Sequence, residues 1–154
     1  MKKASKFFIY FLLFVGLFLG WFAYKRHFYY FGDTGKCVTV WKKLWGKSII
    51  VPGKYYGIGT PDNYVETGSV SYISIFWSKE LPNSFIVSGE NPKSYIINSA
   101  ETNKNIFLKY EDKKEYYKNI LYSKSNNKLK QDAEVLSISM REPYATDKKG
   151  NKKY

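Results

Sequence analysis

One uncharged run constrains this chain more than any other feature: FFIYFLLFVGLFLGWFAY, from Phe7 to Tyr24. As a helix rising about 1.5 Å per residue, its eighteen residues are roughly 27 Å long, close to the thickness of a bilayer's hydrocarbon core. No polar stripe interrupts the run, which disfavours the alternative of a core helix in a soluble protein. The sequence therefore predicts a transmembrane anchor at 7–24.

The residues on both sides of this run also fit an anchor. Three lysines precede it, and Lys25 and Arg26 follow it. Amphipathic rings lie where an interfacial belt is expected, at Trp21, Tyr24, Tyr29 and Tyr30. These flanks predict a basic N-terminal tail at 1–6 and an aromatic and basic juxtamembrane segment at 25–32.

A cleaved secretory signal is the main alternative to an uncleaved signal-anchor. Such signals have an apolar core of about 7 to 15 residues and small residues at both positions that precede the cut. Here the run is longer, and the small residues Gly20 and Ala23 are three positions apart rather than two. No cysteine follows closely enough for a lipoprotein signal. We therefore expect the segment to remain attached.

The flanking charges bear on the orientation of the anchor. The basic residues near it are Lys2, Lys3 and Lys6 on one side, and Lys25, Arg26, Lys36, Lys42 and Lys43 on the other. This count slightly favours a cytoplasmic C-terminus. However, a long folded domain translocates largely regardless of its charge, and otherwise the lysine-rich N-terminal tail would have to cross the membrane. We expect the domain to be extracytoplasmic, on the periplasmic or cell-surface side of the cell membrane.

The net charge of +12 raises the question of a nucleic-acid partner. Residues 1–27 hold five basic groups and no acid, residues 28–141 hold sixteen basic groups and eleven acids, and residues 142–154 hold four lysines and two acids. The part predicted to fold is therefore only mildly basic. Because 23 of the 25 basic residues are lysine, bidentate recognition of guanine or phosphate is not indicated. We expect no nucleic-acid partner, and attraction of the flanking lysines to anionic lipid headgroups.

Between the anchor and the C-terminus, β-branched and aromatic runs are cut by Gly, Pro, Asn and Ser, as in short strands. Seven predicted strands begin at Cys37, Ser48, Ser69, Ser84, Ser94, Asn105 and Glu134. The strand at 69–77 is apolar on both faces and is predicted to be central. One short helix is predicted at 111–122, where EDKKEYYKNILY begins with acidic residues and carries an apolar stripe.

The predicted fold is a single N-terminal transmembrane helix followed by a small mainly-β (α+β) domain at 33–142. This domain is expected to be an antiparallel meander or a small sandwich with one short helix, because about 110 residues suffice for one core. The polar, lysine-rich residues 143–154 are predicted to form a flexible tail.

Scarce residue types limit the possible chemistry. The one histidine, His27, lies in the basic cluster after the anchor, and the one cysteine, Cys37, has no partner for an intramolecular disulfide or a zinc site. At the start of an apolar strand, Cys37 is expected to be buried and inert, with an intermolecular disulfide as the alternative. None of the thirteen carboxylates lies in a recognisable motif. We expect no metal, no cofactor and no enzyme activity.

The segment VPGKYYGIGTPDNYVETG at 51–68 holds four glycines and two prolines. A loop that cradles phosphate needs glycines that lead into a helix, and no helix start follows here. Pro52 and Gly53 instead fit a type II turn with Gly53 at positive φ, and Pro61 with Asp62 fits a type I turn. The segment is predicted to consist of corners between short strands.

Aromatic density provides the candidate binding residues: Trp41, Trp45, Tyr55, Tyr56 and Tyr64. In a strand Trp41, Lys43 and Trp45 would share a face and could stack on sugars, peptides or bases. The alternative is that these rings fill the core or pack across strands.

Three functional classes follow from these features. The leading one is an accessory, assembly or inhibitory subunit that contacts another membrane or envelope protein beside the lipid bilayer. The second is an envelope carbohydrate-binding module that uses exposed aromatics. The third is a hydrolase built on carboxylates.

Overall fold

A computed structural model of the chain describes residues 2–24, 26–42, 47–57, 59–68, 70–89, 95–98, 105–108, 121–122 and 130–154. These residues form one N-terminal helix, α1 (Lys2–Tyr24), and eleven strands in two sheets. The strands in chain order are β1 (Arg26–Tyr30), β2 (Cys37–Lys42), β3 (Ser48–Pro52), β4 (Tyr64–Thr67), β5 (Tyr72–Ser78), β6 (Ser84–Gly89), β7 (Tyr95–Asn98), β8 (Ile106–Leu108), β9 (Ala133–Ser139), β10 (Ala145–Asp147) and β11 (Lys152–Lys153). The predicted small mainly-β domain is confirmed.

The two sheets pack face to face on one shared core, which makes the domain a small sandwich. The first sheet has the order β1-β2-β3-β4-β7, and the second has the order β11-β10-β9-β5-β6-β8. The described pairings are antiparallel except for β6 with β8. Alternate residues of the central strands enter the core, as the two-residue period of a strand requires. They include Val38, Val40, Ile50 and Val65 from the first sheet and Ile73, Ile75, Phe85 and Leu136 from the second.

Strand β5 lies inside the second sheet, between β9 and β6, as its apolar sequence predicted. Ile73, Ile75 and Trp77 face the shared core. Phe76 points to the opposite face, where it joins Ile86 in a second apolar cluster. The outer face of β5 is mixed, because it also carries Ser74, which hydrogen-bonds with Ser137, and exposed Tyr72.

Helix α1 exposes its apolar side chains on all sides. Its large apolar residues with described side chains are between 42% and 76% exposed, from Trp21 to Phe7. Among the residues that the structure describes, no helix combines the length and the apolar character needed to cross a membrane.

The seven predicted strands correspond to β2, β3 and β5 to β9. The predicted helix at 111–122 lies outside the described residues except for its last two positions. Of these, Leu121 is buried and Tyr122 half-buried, and both pack on the outer face of the second sheet beside Phe76.

Strand β1 corrects the prediction of a juxtamembrane segment at 25–32. Arg26–Tyr30 pairs with β2 over its whole length, and Tyr29 is 1% exposed in the core rather than in an interfacial belt. A tight turn makes this hairpin possible, because the Phe31 amide donates to the Lys36 carbonyl and Gly32 and Gly35 adopt positive φ. The folded domain therefore begins directly after the helix.

The prediction of a flexible tail at 143–154 is also wrong, because this segment forms paired strands as well. Strands β10 and β11 form a hairpin that continues the second sheet, and Ala145 is buried in the shared core. The Asp147 carboxylate accepts hydrogen bonds from the backbone amides of Lys149 and Asn151, both at 2.9 Å, and Gly150 supplies a positive φ. These contacts close a turn that the lysine-rich sequence did not indicate.

Replacing Asp147 with alanine should lower the free energy of unfolding by about 1 kcal/mol, as for the loss of a capping carboxylate. Urea unfolding of the full chain in detergent, followed by tryptophan fluorescence, measures the change. The matched control is Asp33→Ala, which removes an exposed carboxylate from the turn after β1. Equal midpoints for the two variants would contradict the assigned role of Asp147.

Candidate functional site

Three of the aromatic candidates meet on the outer face of the first sheet. Trp41 of β2 is 7% exposed and forms a cluster with Ile49 and Val51, against which Tyr55 and Tyr64 pack. The Trp41 and Tyr55 ring centroids are 6.2 Å apart. This sheet is therefore covered by apolar side chains on both faces.

Arg26 covers the outer side of Trp41. Its Cζ lies 4.5 Å from the Trp41 ring centroid and 5.6 Å from that of Tyr55, within the range of cation–π attraction. Its Nη2 donates a hydrogen bond of 2.6 Å to the carbonyl of Gly57. Arg26 therefore ties the loop after β3 to the first residue of β1, and Trp41 does not offer an open face for stacking.

Tyr56 packs against a different neighbour from Tyr55. It is 70% exposed, and its ring centroid lies 5.3 Å from that of half-buried Phe28 on β1. Tyr30, two residues further along β1, is also exposed. We refer to Phe28, Tyr30 and Tyr56 as the β1 strip, since they form an aromatic surface along an edge strand.

Lys54 borders the β1 strip. Its Nζ lies 5.6 Å from the Tyr30 ring centroid, and a hydrogen bond with Tyr30 raises the pKa of the Lys54 ammonium group. The edge of the strip therefore carries a fixed positive charge at neutral pH.

The five aromatic candidates thus separate into different environments. Trp41, Tyr55 and Tyr64 lie together in the outer cluster of the first sheet, whereas Tyr56 lies in the β1 strip. Trp45 falls outside the described residues, as does Lys43, so the proposed row of Trp41, Lys43 and Trp45 is not described.

A groove of about 460 Å³ lies between the turn after β3 and the corner before β4. Its lining residues are Val51, Pro52, Gly53, Lys54, Tyr55, Thr60, Pro61, Asp62, Asn63 and Asn105. Gly53 has a φ of 86°, the positive value that its predicted turn requires. The turn at Gly53 therefore agrees with the prediction, and the described residues between β3 and β4 form a concave surface.

Buried Thr39 fixes one wall of this groove from below. Its hydroxyl donates to the Gly53 carbonyl at 2.6 Å and accepts from the Tyr55 amide at 3.0 Å. The Tyr55 hydroxyl in turn donates to the carbonyl of Gly59. Both ends of the loop are therefore held by side-chain hydrogen bonds.

The single cysteine and the single histidine of the chain both lie on strands of the first sheet. Cys37 is a buried free cysteine, and burial raises the pKa of its thiol, although the charge of Lys54 opposes this effect. His27 lies on β1, half-buried, with its ring stacked on Tyr29 at 6.2 Å. Within the described part of the chain, no three His, Cys, Asp or Glu residues are grouped so that they could hold a metal ion.

His27 should make the stability of the domain depend on pH. Burial of the imidazole and then the nearby charge of Lys42 lower the pKa of His27 from its ordinary value of 6.5. The folded state therefore binds this proton less well than the unfolded state, so stability is fully present above pH 6.5 and falls as the pH decreases below it. Urea midpoints measured from about pH 7.5 down to about pH 5.5 should decrease for the wild type and decrease less for His27→Gln. The same slope for both proteins would contradict this role.

Several residues of these surfaces were not recognised from the sequence. Arg26 and Phe28 were assigned to the membrane flank, and Asn63 and Asn105 had no distinguishing pattern. The turn residues FGDTG at 31–35, between two aromatic and β-branched runs, were the signal that could have identified β1 and hence the position of Arg26.

Comparison of this chain with protein-family models, with curated proteins and with solved structures gave no match.

Proposed function

We propose that this chain is a single-pass membrane-anchored protein whose β-sandwich contacts another macromolecule as an accessory, assembly or inhibitory subunit, without catalysis. The observation that carries the proposal is an exposed aromatic strip on the strand that directly follows an exposed apolar helix. The partner would be a membrane or envelope protein, and the domain would lie outside the cytoplasm.

The anchor is supported by the sequence of α1 together with its exposure. A helix that is apolar all round requires an apolar environment, and the large apolar side chains of α1 that are described remain 42% to 76% exposed. Residues 6–21, whose side chains are described, account for about 24 Å of helix, less than the roughly 30 Å of a hydrocarbon core. The proposed span therefore relies on the whole run from Phe7 to Tyr24.

The position of the β1 strip supports contact with a protein. Arg26 begins β1 two residues after the end of α1, and its bond to Gly57 holds the Tyr56 loop near that end. Exposed tyrosine and phenylalanine rings are typical of the centres of protein interfaces. A partner in the same membrane would reach this surface without extending far from the bilayer.

The strip can be tested by co-purification. The full chain is extracted from membranes in mild detergent, and proteins retained with it are identified for the wild type, Tyr56→Ala and Tyr30→Ala. A specific partner should be retained by the wild type and reduced about tenfold or more by each tyrosine variant, as for the loss of an interface anchor. The control is Ile96→Ala, which removes an exposed apolar side chain from β7 at the other edge of the same sheet.

Two results would contradict the contact. One is a reproducibly solitary protein, and the other is a partner retained equally by all variants.

The anchor and its orientation have a separate test. The full chain should remain in the membrane pellet after alkaline carbonate extraction, and a reporter active only outside the cytoplasm should be active when it is fused after Tyr154. Release of the chain by carbonate would contradict the anchor. A silent reporter on a well-expressed, membrane-bound fusion would contradict the orientation.

A further inference from the structure

We propose that the groove beside the first sheet binds a neutral sugar or polyol. Its members are the lining residues named above, and the polar groups proposed to contact the ligand are Asn105, Asp62 and Thr60. The site shares no residue with the β1 strip, although Lys54 lines the groove and also contacts Tyr30, so the two adjoining surfaces are tested with separate variants.

Hydrogen bonds and prolines of the domain itself hold the groove in shape. The hydroxyl of Thr39 holds Gly53 and Tyr55, and the amide of Gly53 donates to the Cys37 carbonyl at 2.8 Å. Proline at positions 52 and 61 restricts the backbone of both walls. A ligand therefore does not have to order this loop, which lowers the entropic cost of binding.

Asn105 approaches the turn at Gly53 closely. A Cβ added to Gly53 would lie 3.2 Å from Nδ2 of Asn105, so glycine at this position leaves room for the amide. Its φ of 86° independently favours glycine. The turn therefore satisfies its backbone geometry and admits a polar side chain to the groove at the same position.

The groove presents polar groups of mixed type. The carboxamide of half-buried Asn105 offers donors and an acceptor. The Thr60 hydroxyl and the Asp62 carboxylate add further acceptors. A sugar hydroxyl donates and accepts at one oxygen, so this mixed set matches a polyol better than it matches a purely accepting anion or a purely donating cation.

The groove has no excess of either charge, and its lining combines polar with apolar groups. Lys54 and Asp62, which line the groove, carry opposite charges. Proline, valine and the Tyr55 ring supply apolar patches for the C–H faces of a sugar ring. The volume of about 460 Å³ lies within the roughly 300–1,000 Å³ of small-molecule sites and suits one or two sugar rings.

Binding is measured by saturation-transfer NMR, which detects magnetisation passed from the protein to a bound sugar. The full chain is used in a zwitterionic detergent that has no sugar headgroup. The probes are glucose and N-acetylglucosamine, with glucosamine as the cationic counterpart and glucuronic acid as the anionic one. We expect transfer to at least one neutral probe and weaker transfer to both charged probes. Asn105→Ala should weaken binding by about fivefold or more, as for the loss of a ligand hydrogen bond.

Two further variants keep the test decisive. Asp62→Ala changes an exposed residue and should also weaken binding even if Asn105→Ala folds poorly. Tyr56→Ala should leave sugar binding unchanged while it reduces the protein contact, so the two proposals fail separately. No transfer to any neutral probe, stronger transfer to a charged probe, or binding by both Asn105→Ala and Asp62→Ala that equals wild-type binding would overturn the proposal.

Discussion

Replacing Phe85 with alanine is expected to lower the free energy of unfolding by about 3–5 kcal/mol, the largest effect of any single substitution considered. The Phe85 ring is fully buried, and its centroid lies 5.5 Å from that of Phe31 and 5.9 Å from that of Phe107. These three rings join the turn after β1 to β6 and β8, so the cavity would open where both sheets meet. Because small domains are stable by only about 5–15 kcal/mol, much of the total would be lost.

Urea unfolding of the full chain in detergent provides the measurement for Phe85→Ala. The control is Ile96→Ala, which removes an apolar side chain that is 58% exposed and should change stability by no more than about 0.5 kcal/mol. A Phe85→Ala midpoint no lower than that of the control would show that the shared core is not where the structure places it.

The second large effect is expected from Thr39→Val, which keeps the shape of a fully buried side chain and removes only its hydroxyl. The Gly53 carbonyl and the Tyr55 amide would both lose their partner. We expect a loss of about 1–3 kcal/mol, since an unsatisfied polar group costs more than the net value of a hydrogen bond.

Thr34→Val is the matched control for this substitution, because the Thr34 hydroxyl also bonds to backbone, at 2.6 Å to the Phe31 carbonyl, but in a more exposed turn. Thr39→Val should be the more destabilising variant, and it alone should weaken sugar binding in the groove. Equal stability of both variants together with unchanged sugar binding would refute the role assigned to Thr39.

The sequence was most informative where burial alone decides the structure. Strand β5 places Ile73 and Ile75 in the shared core and Phe76 in the second cluster, and neighbouring strands flank it on both sides. The turn at Gly53 was also predictable, because few residues other than glycine adopt its φ.

The sequence was least informative where two environments favour the same residue types. Tyr29 suits a membrane interface and a β-sheet core equally well, so the strand β1 was mistaken for a membrane flank. Likewise, the lysines around Asp147 suggested a solvated tail, although one carboxylate and one glycine suffice to close a hairpin.

The placement of individual side chains needed tertiary information. Nothing local to Trp41 indicates that Arg26 covers it, since the two residues meet only through the pairing of β1 with β2. The groove depends in the same way on Asn105, which is far from the turn at Gly53 in sequence.

Site-specific photo-crosslinking in intact cells tests the proposed contact most directly. A benzophenone-bearing amino acid is placed at Tyr56 in the β1 strip or at Ile96 on the opposite edge of the same sheet, in the otherwise unchanged full chain. We expect one discrete crosslinked protein species in the membrane fraction from position 56 and none from position 96. No crosslink from position 56, or the same species from both positions, would contradict it.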